Sequence, residues 1–350
     1  MSRERLDEVL RKPVVVAPMA GGPSTPDLVV AAAGAGALGF LAAGYQSGAA
    51  MVAQMAQVRA STREAFGVNV FLPGTPAGHP ERTAAYLESL GPDAAALGAT
   101  LGDPAWDDDD WTGKILALLE DPPAIVSFSF GCPPPDVITS FQDADAAVAV
   151  TVTTPEEAQL AAHEGADCLV VQGSEAGAHR ATFSNDDSVG TAWDLRALIA
   201  AVAQVTDLPQ IAAGGIMDAE AAAGLLAGPV LAVQCGTAFV CCPESGAHPV
   251  YKAALGDMRG DARFTETAVT RAFSGRPARG LANAFMAGHP DAPAAYPEIN
   301  NATRPLRAAA AKAGDADRMS LWAGTGFRAA TTRPAAEVVD LLTPRRRARP

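Results

Sequence analysis

The chain has 350 residues, 49% of them hydrophobic and 19% charged, which is enough apolar material for a large core and too little charge for a disordered polymer. With 26 Lys and Arg against 39 Asp and Glu, the formal net charge of −13 argues against a nucleic-acid partner, since such binding is driven by clustered cations. The five cysteines, Cys132, Cys168, Cys235, Cys241 and Cys242, form no CxxC pair and no disulfide framework, which fits a reducing cytoplasm and offers no metal site. The adjacent Cys241 and Cys242 read as small apolar fillers.

The opening MSRERLDEVLRKP reads as a charged amphipathic helix and not as a secretory signal. Residues 28–58 carry no charge, but glycines at 34, 36, 39, 44 and 48 and three glutamines make this a packed α/β segment, not a membrane span. GAGALG at 34–39 matches GxGxxG but precedes a strand, so it fails as a dinucleotide fingerprint. Eight continuous apolar runs predict strands covered on both faces: 14–17, 38–41, 67–70, 125–130, 147–150, 168–172, 210–213 and 231–234. Helices fit between most of them, as at 155–165, 195–205 and 218–228, the last with an acidic first turn and a glycine stop. The rhythm predicts an α/β fold, a (β/α)8 TIM barrel with a smaller, mostly helical second domain; a doubly wound sheet is the alternative.

Two excursions break the rhythm. Residues 72–123 include WDDDDW at 106–111, whose four carboxylates read as a solvated helix start favoured by the helix dipole. Residues 243–311 read as a Pro-punctuated helical lid or substrate domain, giving a barrel at 1–242 and a segment at 312–350 that returns to it. The terminal PRRRARP reads as a solvated tail.

In such a barrel the chemistry gathers at the C-terminal ends of the strands. Those ends are Ala17-Pro18-Met19, Asn69, Gln172, Gly214-Gly215 and Gln234-Cys235-Gly236-Thr237. Glycine loops after the last two strands let backbone N–H groups approach a phosphate, and Thr237 adds a hydroxyl. Asn69, Gln172 and Gln234 could donate to and accept from a heterocycle with mixed edges, so the set suggests a mononucleotide such as FMN. The stretch VQGSEAGAHRATF then places His179 after a slim loop containing Gly177 and Ala178, where an imidazole could stand over a flat ring as a base or as partner to an anion. His79 and His248 precede prolines, His163 lies on a helix and His289 in the appended segment, so none competes strongly.

The motifs together resemble the nitronate monooxygenase family, formerly called 2-nitropropane dioxygenases, in its class I branch. The resemblance runs through residues 17–45, FGVNVF at 66–71, SFSFGCPP at 127–134, QGSEAGAHR at 172–180, AAGGI at 212–216, QCGTAF at 234–239, TRPLR at 303–307 and LWAGTG at 321–326. It implies a TIM barrel holding FMN through Asn69, Gln172, Gly177, Gly214 and the 234–237 run, with His179 as the active-site histidine. It also implies oxidation of an alkyl nitronate, such as propionate 3-nitronate, by O2 to a carbonyl product and nitrite, with protonated His179 holding the anion. Ala178 and Ala181 stand where the family often has glycine, which leaves the substrate more open than the cofactor. An FMN-dependent NAD(P)H:quinone reductase or enoyl-acyl-carrier-protein reductase, or a non-catalytic flavin-binding protein, are the rival readings. A cytoplasmic enzyme acting on small molecules, with no membrane or nucleic-acid partner and compatible with a homodimer, is the expectation.

Overall fold

The computed structural model describes residues 6, 8–186, 192–226, 228–256 and 263–344; the basic tail at 345–350 lies outside them, as does all of MSRER. Its strands, in chain order, are β1 (Val14–Val16), β2 (Leu38–Ala42), β3 (Phe66–Phe71), β4 (Ile125–Ser129), β5 (Ala147–Val152), β6 (Cys168–Gln172), β7 (Ala178–His179), β8 (Gln210–Ala213), β9 (Val230–Cys235), β10 (Thr267–Thr270) and β11 (Ala278–Leu281). All but β7, β10 and β11 close into one parallel barrel, in which β6 pairs directly with β8 and β9 pairs back onto β1. The (β/α)8 TIM barrel expected from the sequence is therefore the fold.

Continuous apolar strands suit this closure because each strand is buried on both sides. Val14 and Val16 pack outward against the helices, whereas Val15 joins Phe40, Ile125, Val170 and Ile211 in the interior. Leu6 and Leu10 belong to that inner cluster, so these two side chains cover the barrel end opposite the strand C-termini. Strand β4 stops one residue short of the expected run because Phe130 turns into the left-handed region at φ +75°.

The helices obey their local signals where those are strong. Thr154 caps the helix Pro155–Glu164 by accepting from Glu157 N at 3.2 Å, and Gly165 ends it at φ +100°. The helix expected at 195–205 ends at Val202, and the one expected at 218–228 spans only Ala219–Ala223, capped by Asp218 and stopped by Gly224. GAGALG is a helix-to-strand turn: Gly36 takes φ +86°, and a Cβ at Gly39 would lie 2.9 Å from Val29 Cα.

The Asp run departs from its expected role as a solvated helix start. The helix begins at Trp111, and Asp110, at φ +54°, accepts from Gly48 N at 2.6 Å. Asp109 accepts from Tyr45 N at 2.8 Å and pairs with the fully buried Lys114 at 2.7 Å. These carboxylates tie the β3–β4 excursion to the loop after β2, an arrangement that composition alone cannot show.

Residues 243–311 contain the helices Pro249–Gly256 and Ala284–Gly288, β10 and β11, and all but the last two residues of the helix Glu298–Ala313. Strand β11 pairs with β10 and with β7, aligning Ala278 with His179 and Arg279 with Ala178. The helix Ala335–Leu342 then returns to the barrel, where Val338, Val339 and Leu342 join the layer that contains Leu28 and Val29. Among the described residues, no helix is long and apolar enough to cross a membrane, and no group of three or more His, Cys, Asp or Glu could hold a metal.

Candidate active site

A cavity of about 760 Å³ lies at the C-terminal ends of the barrel strands, within the range that encloses small ligands and cofactors. Every residue expected at the site lines it, from Ala17, Pro18 and Met19 after β1 to Thr237 after β9. The loop after β1 is braced by its own contacts: Ala17 N donates to Cys235 O at 2.9 Å, and Met19 N to Ser24 Oγ at 2.9 Å.

At one end of the cavity Gly214 and Gly215 take φ +133° and +69°, conformations suited to glycine, and Gly236 precedes the short helix Thr237–Val240. Among the described residues, the amides of Gly215 and Gly236 donate to no protein acceptor. The chain end LWAGTG comes in over these loops, with Gly324 N donating to Thr237 Oγ1 and Thr325 N to Glu175 O, both at 3.0 Å. A Cβ at Gly177 would lie 2.6 Å from both Ala323 C and Gly324 N, so two backbones touch where any side chain would force them apart. Free amides in a glycine cradle match a phosphate group. Cys235 adds no reactive thiolate, because burial pushes its thiol up to about 12.

The three carboxamides do not share one role. Asn69 is buried, and its Nδ2 donates to Ser127 O, Ser127 Oγ and Ser129 Oγ at 2.9–3.2 Å. Gln172 spends both ends on the histidine loop: Nε2 donates to His179 O at 3.0 Å, and Oε1 accepts from Ala181 N at 2.9 Å. Gln172 therefore shapes the loop, and as a cavity-lining carboxamide it keeps a second Nε2–H and a second Oε1 lone pair beyond these two bonds. The Gln234 side chain bonds no protein group among the described residues and lines the cavity, so it is a carboxamide left to a ligand.

His179 stands in an aromatic wall, 5.8 Å from the Phe130 and Tyr296 ring centroids and 5.5 Å from that of Trp322. Its Nε2 lies 2.9 Å from Ser274 Oγ. Burial first, then the Arg276 and Arg307 charges, push its pKa down to about 3. These surroundings favour the neutral imidazole, so the expected protonated His179 would need an anion beside it to hold the proton. The preceding Ala178 sits at φ +63°, a conformation that costs an L-residue about 1 kcal/mol and that glycine takes freely.

Positive charge in the cavity comes instead from the helix Glu298–Ala313, which presents Arg304 at the rim and Arg307 deeper. Arg307 Nη2 donates to Asn300 O and Oδ1 at 2.9 Å each, and among the described residues no carboxylate pairs with it. Burial lowers its pKa to about 10, so it stays charged. Tyr45, Phe130 and Trp322 also line the cavity, and so does His248, whose Nδ1 accepts from Val250 N at 3.3 Å. His289 bonds Asp93 at 2.9 Å, away from the site. Arg307 and Trp322 lie inside TRPLR and LWAGTG, but no spacing rule connects those stretches to the barrel mouth.

A barrel whose mouth combines a glycine-built anion cradle with a buried imidazole is the architecture of a cofactor-using oxidoreductase. A family model for nitronate monooxygenase matches residues 3–345, and the chain belongs to that family of flavin-dependent enzymes. A nitronate monooxygenase of Pseudomonas aeruginosa is 39% identical over 95% of this chain and 95% of its own. A probable nitronate monooxygenase of Bacillus subtilis is 35% identical over 92% of both. The crystal structure of a nitroalkane oxidase from Streptomyces ansochromogenes matches with a TM-score of 0.93 and 44% identity, covering 97% of this chain and 96% of that one. FabK from Thermotoga maritima, at a TM-score of 0.68 and 24% identity over 98% of this chain and 95% of its own, shares the fold.

Proposed function

We propose that this enzyme is an FMN-dependent nitronate monooxygenase, oxidising alkyl nitronates such as propionate 3-nitronate with O2 to a carbonyl product and nitrite. The observation that carries the reading is one cavity with free glycine amides at one end and an uncompensated guanidinium, Arg307, near a neutral imidazole. Gly214, Gly215, Gly236 and Thr237 would hold the FMN phosphate. Gln234 and the Asn69 carbonyl would meet the ring edge, and Ala17, Pro18, Met19, Cys235 and Gly177 would bound the group. FMN supplies the two-electron acceptor chemistry that side chains lack.

The chain's own part is to bind, orient and dehydrate. Arg307 answers the nitronate charge, while Phe130 and Trp322 exclude water from the reacting carbon. Gln172 and Ser274 hold His179 against that wall. The test is oxygen uptake and nitrite release by the yellow protein with a panel of nitronates. A colourless protein that takes up no FMN would sink this reading. Rapid bleaching by NADH or NADPH without air would place the enzyme among the reductases.

The likeness to a nitroalkane oxidase favours a second reading, in which the enzyme also starts from a neutral nitroalkane. An imidazole with a free lone pair can take the acidic α proton, and the resulting nitronate is the species oxidised. A primary isotope effect with α-deuterated nitroethane, absent with preformed nitronate, distinguishes the two.

A further inference from the structure

Ser274 Oγ lies 2.9 Å from His179 Nε2, 3.2 Å from Arg276 O and 3.3 Å from Arg276 N. The serine is 1% exposed and Arg276 4%, so water does not compete for these groups. One hydroxyl hydrogen has two acceptors within reach, the imidazole nitrogen and the Arg276 carbonyl.

The surroundings decide between them. Among the described residues, Ser274 Oγ is the sole donor to Arg276 O. A buried carbonyl left without a donor costs about 1–3 kcal/mol. Giving the hydrogen to that carbonyl leaves the Ser274 oxygen to accept from Arg276 N–H and from the imidazole. Nε2 must then carry a hydrogen, and in a neutral ring Nδ1 carries the lone pair. Among the described residues no protein group bonds Nδ1, and His179 lines the cavity, so Nδ1 is the nitrogen left to a ligand. The opposite arrangement strands the Arg276 carbonyl and turns an unmet Nδ1–H on the ligand.

We propose that Ser274 is a positioning residue that fixes His179 as the Nε2–H tautomer, so that Nδ1 is the basic atom presented to substrate. Its catalytic consequence rests on the nitroalkane reading above; the tautomer does not. In that step the α C–H bond breaks, an Nδ1–H bond forms, and the electron pair moves onto the nitro oxygens to give the nitronate. A base held in the wrong tautomer has no lone pair to offer, a defect of large kinetic effect where a histidine acts as base.

The experiment is ¹⁵N-histidine NMR of the flavin-loaded enzyme at neutral pH, with the His179 signals identified by their loss in His179→Gln. The expected result is a protonated Nε2 and an unprotonated Nδ1. A protonated Nδ1 would overturn the assignment whatever the enzyme oxidises. In Ser274→Ala the ring should populate both tautomers, and kcat with nitroethane should fall about ten-fold or more while KM stays within about two-fold. Ser274→Thr, which keeps a hydroxyl, should recover most of that loss. An alanine variant with unchanged tautomer and unchanged kcat would show that Ser274 does not set the ring. Absence of all nitro-compound oxidation alongside a protonated Nε2 would remove the proposed function and leave the tautomer standing.

Discussion

The Arg276 guanidinium lies 4.0 Å from the centroid of the Phe130 ring, and that ring in turn meets His179 edge-on. Arg276 also donates to Arg180 O and Thr182 O, so a buried cation is held on an aromatic face beside the imidazole. Replacing it with a neutral side chain of similar bulk should have two separable effects. Arg276→Met should cost about 2–4 kcal/mol in urea unfolding, because two half-buried carbonyls lose their donor. It should also raise the His179 pKa, so that the acid limb of kcat/KM moves to higher pH; an unmoved limb would show that the cation does not act on the ring.

The neutral imidazole makes stability depend on pH in a definite window. Unfolded, His179 binds a proton near its ordinary value of about 6.5; folded, it resists protonation down to about 3. Between those values the unfolded chain holds the extra proton, so stability falls as pH drops, by up to about 1.4 kcal/mol per unit. Urea midpoints between pH 7 and pH 5 should decline in the wild type and decline less in His179→Gln. Parallel slopes would locate the titration elsewhere.

Arg307 lines the cavity with no carboxylate partner among the described residues, which predicts discrimination by substrate charge. Arg307→Met should raise KM for propionate 3-nitronate by roughly ten-fold or more and change KM for neutral nitroethane by less than about three-fold. Equal effects on both would reduce Arg307 to a packing role.

The contact between Gly177 and Gly324 can be tested through the flavin. Gly177→Ala would put a methyl 2.6 Å from two backbone atoms of the chain end that closes the cradle. The variant should fold and yet lose flavin on dialysis at least about ten times more readily, read from the visible absorbance. Retention equal to wild type would mean that the chain end yields without disturbing the cradle.

Next to it, Ala178 holds φ +63°. Ala178→Gly should relieve that strain and stabilise by about 0.5–1 kcal/mol after the extra chain entropy of glycine, a Tm rise of roughly 1–3 °C. A lower Tm would show that the methyl packs more favourably than its backbone angle costs.

Read by itself, the sequence determined the barrel, because eight apolar runs of strand length separated by helical stretches have few other ways to bury both faces. It also located the residues at the mouth, since strand C-termini are adjacent in space wherever a barrel closes, and glycines after the last two strands need no tertiary knowledge to be noticed. The family was legible for the same reason: its motifs sit on those ends. Tertiary structure alone decided what the groups do there. The pKa of His179 is pushed down by burial first and then by Arg276 and Arg307, some 97 and 128 positions away in the chain, because a pKa depends on neighbours in space. Gln172 holds the loop because β7 curls back over β6, and β7 is fixed by β11, which no periodicity links to it. The Asp run is a brace because Tyr45, Gly48 and Lys114 converge on it. Strand order and burial follow from local pattern, whereas charge state, tautomer and hydrogen-bond partner are set by contacts between distant segments.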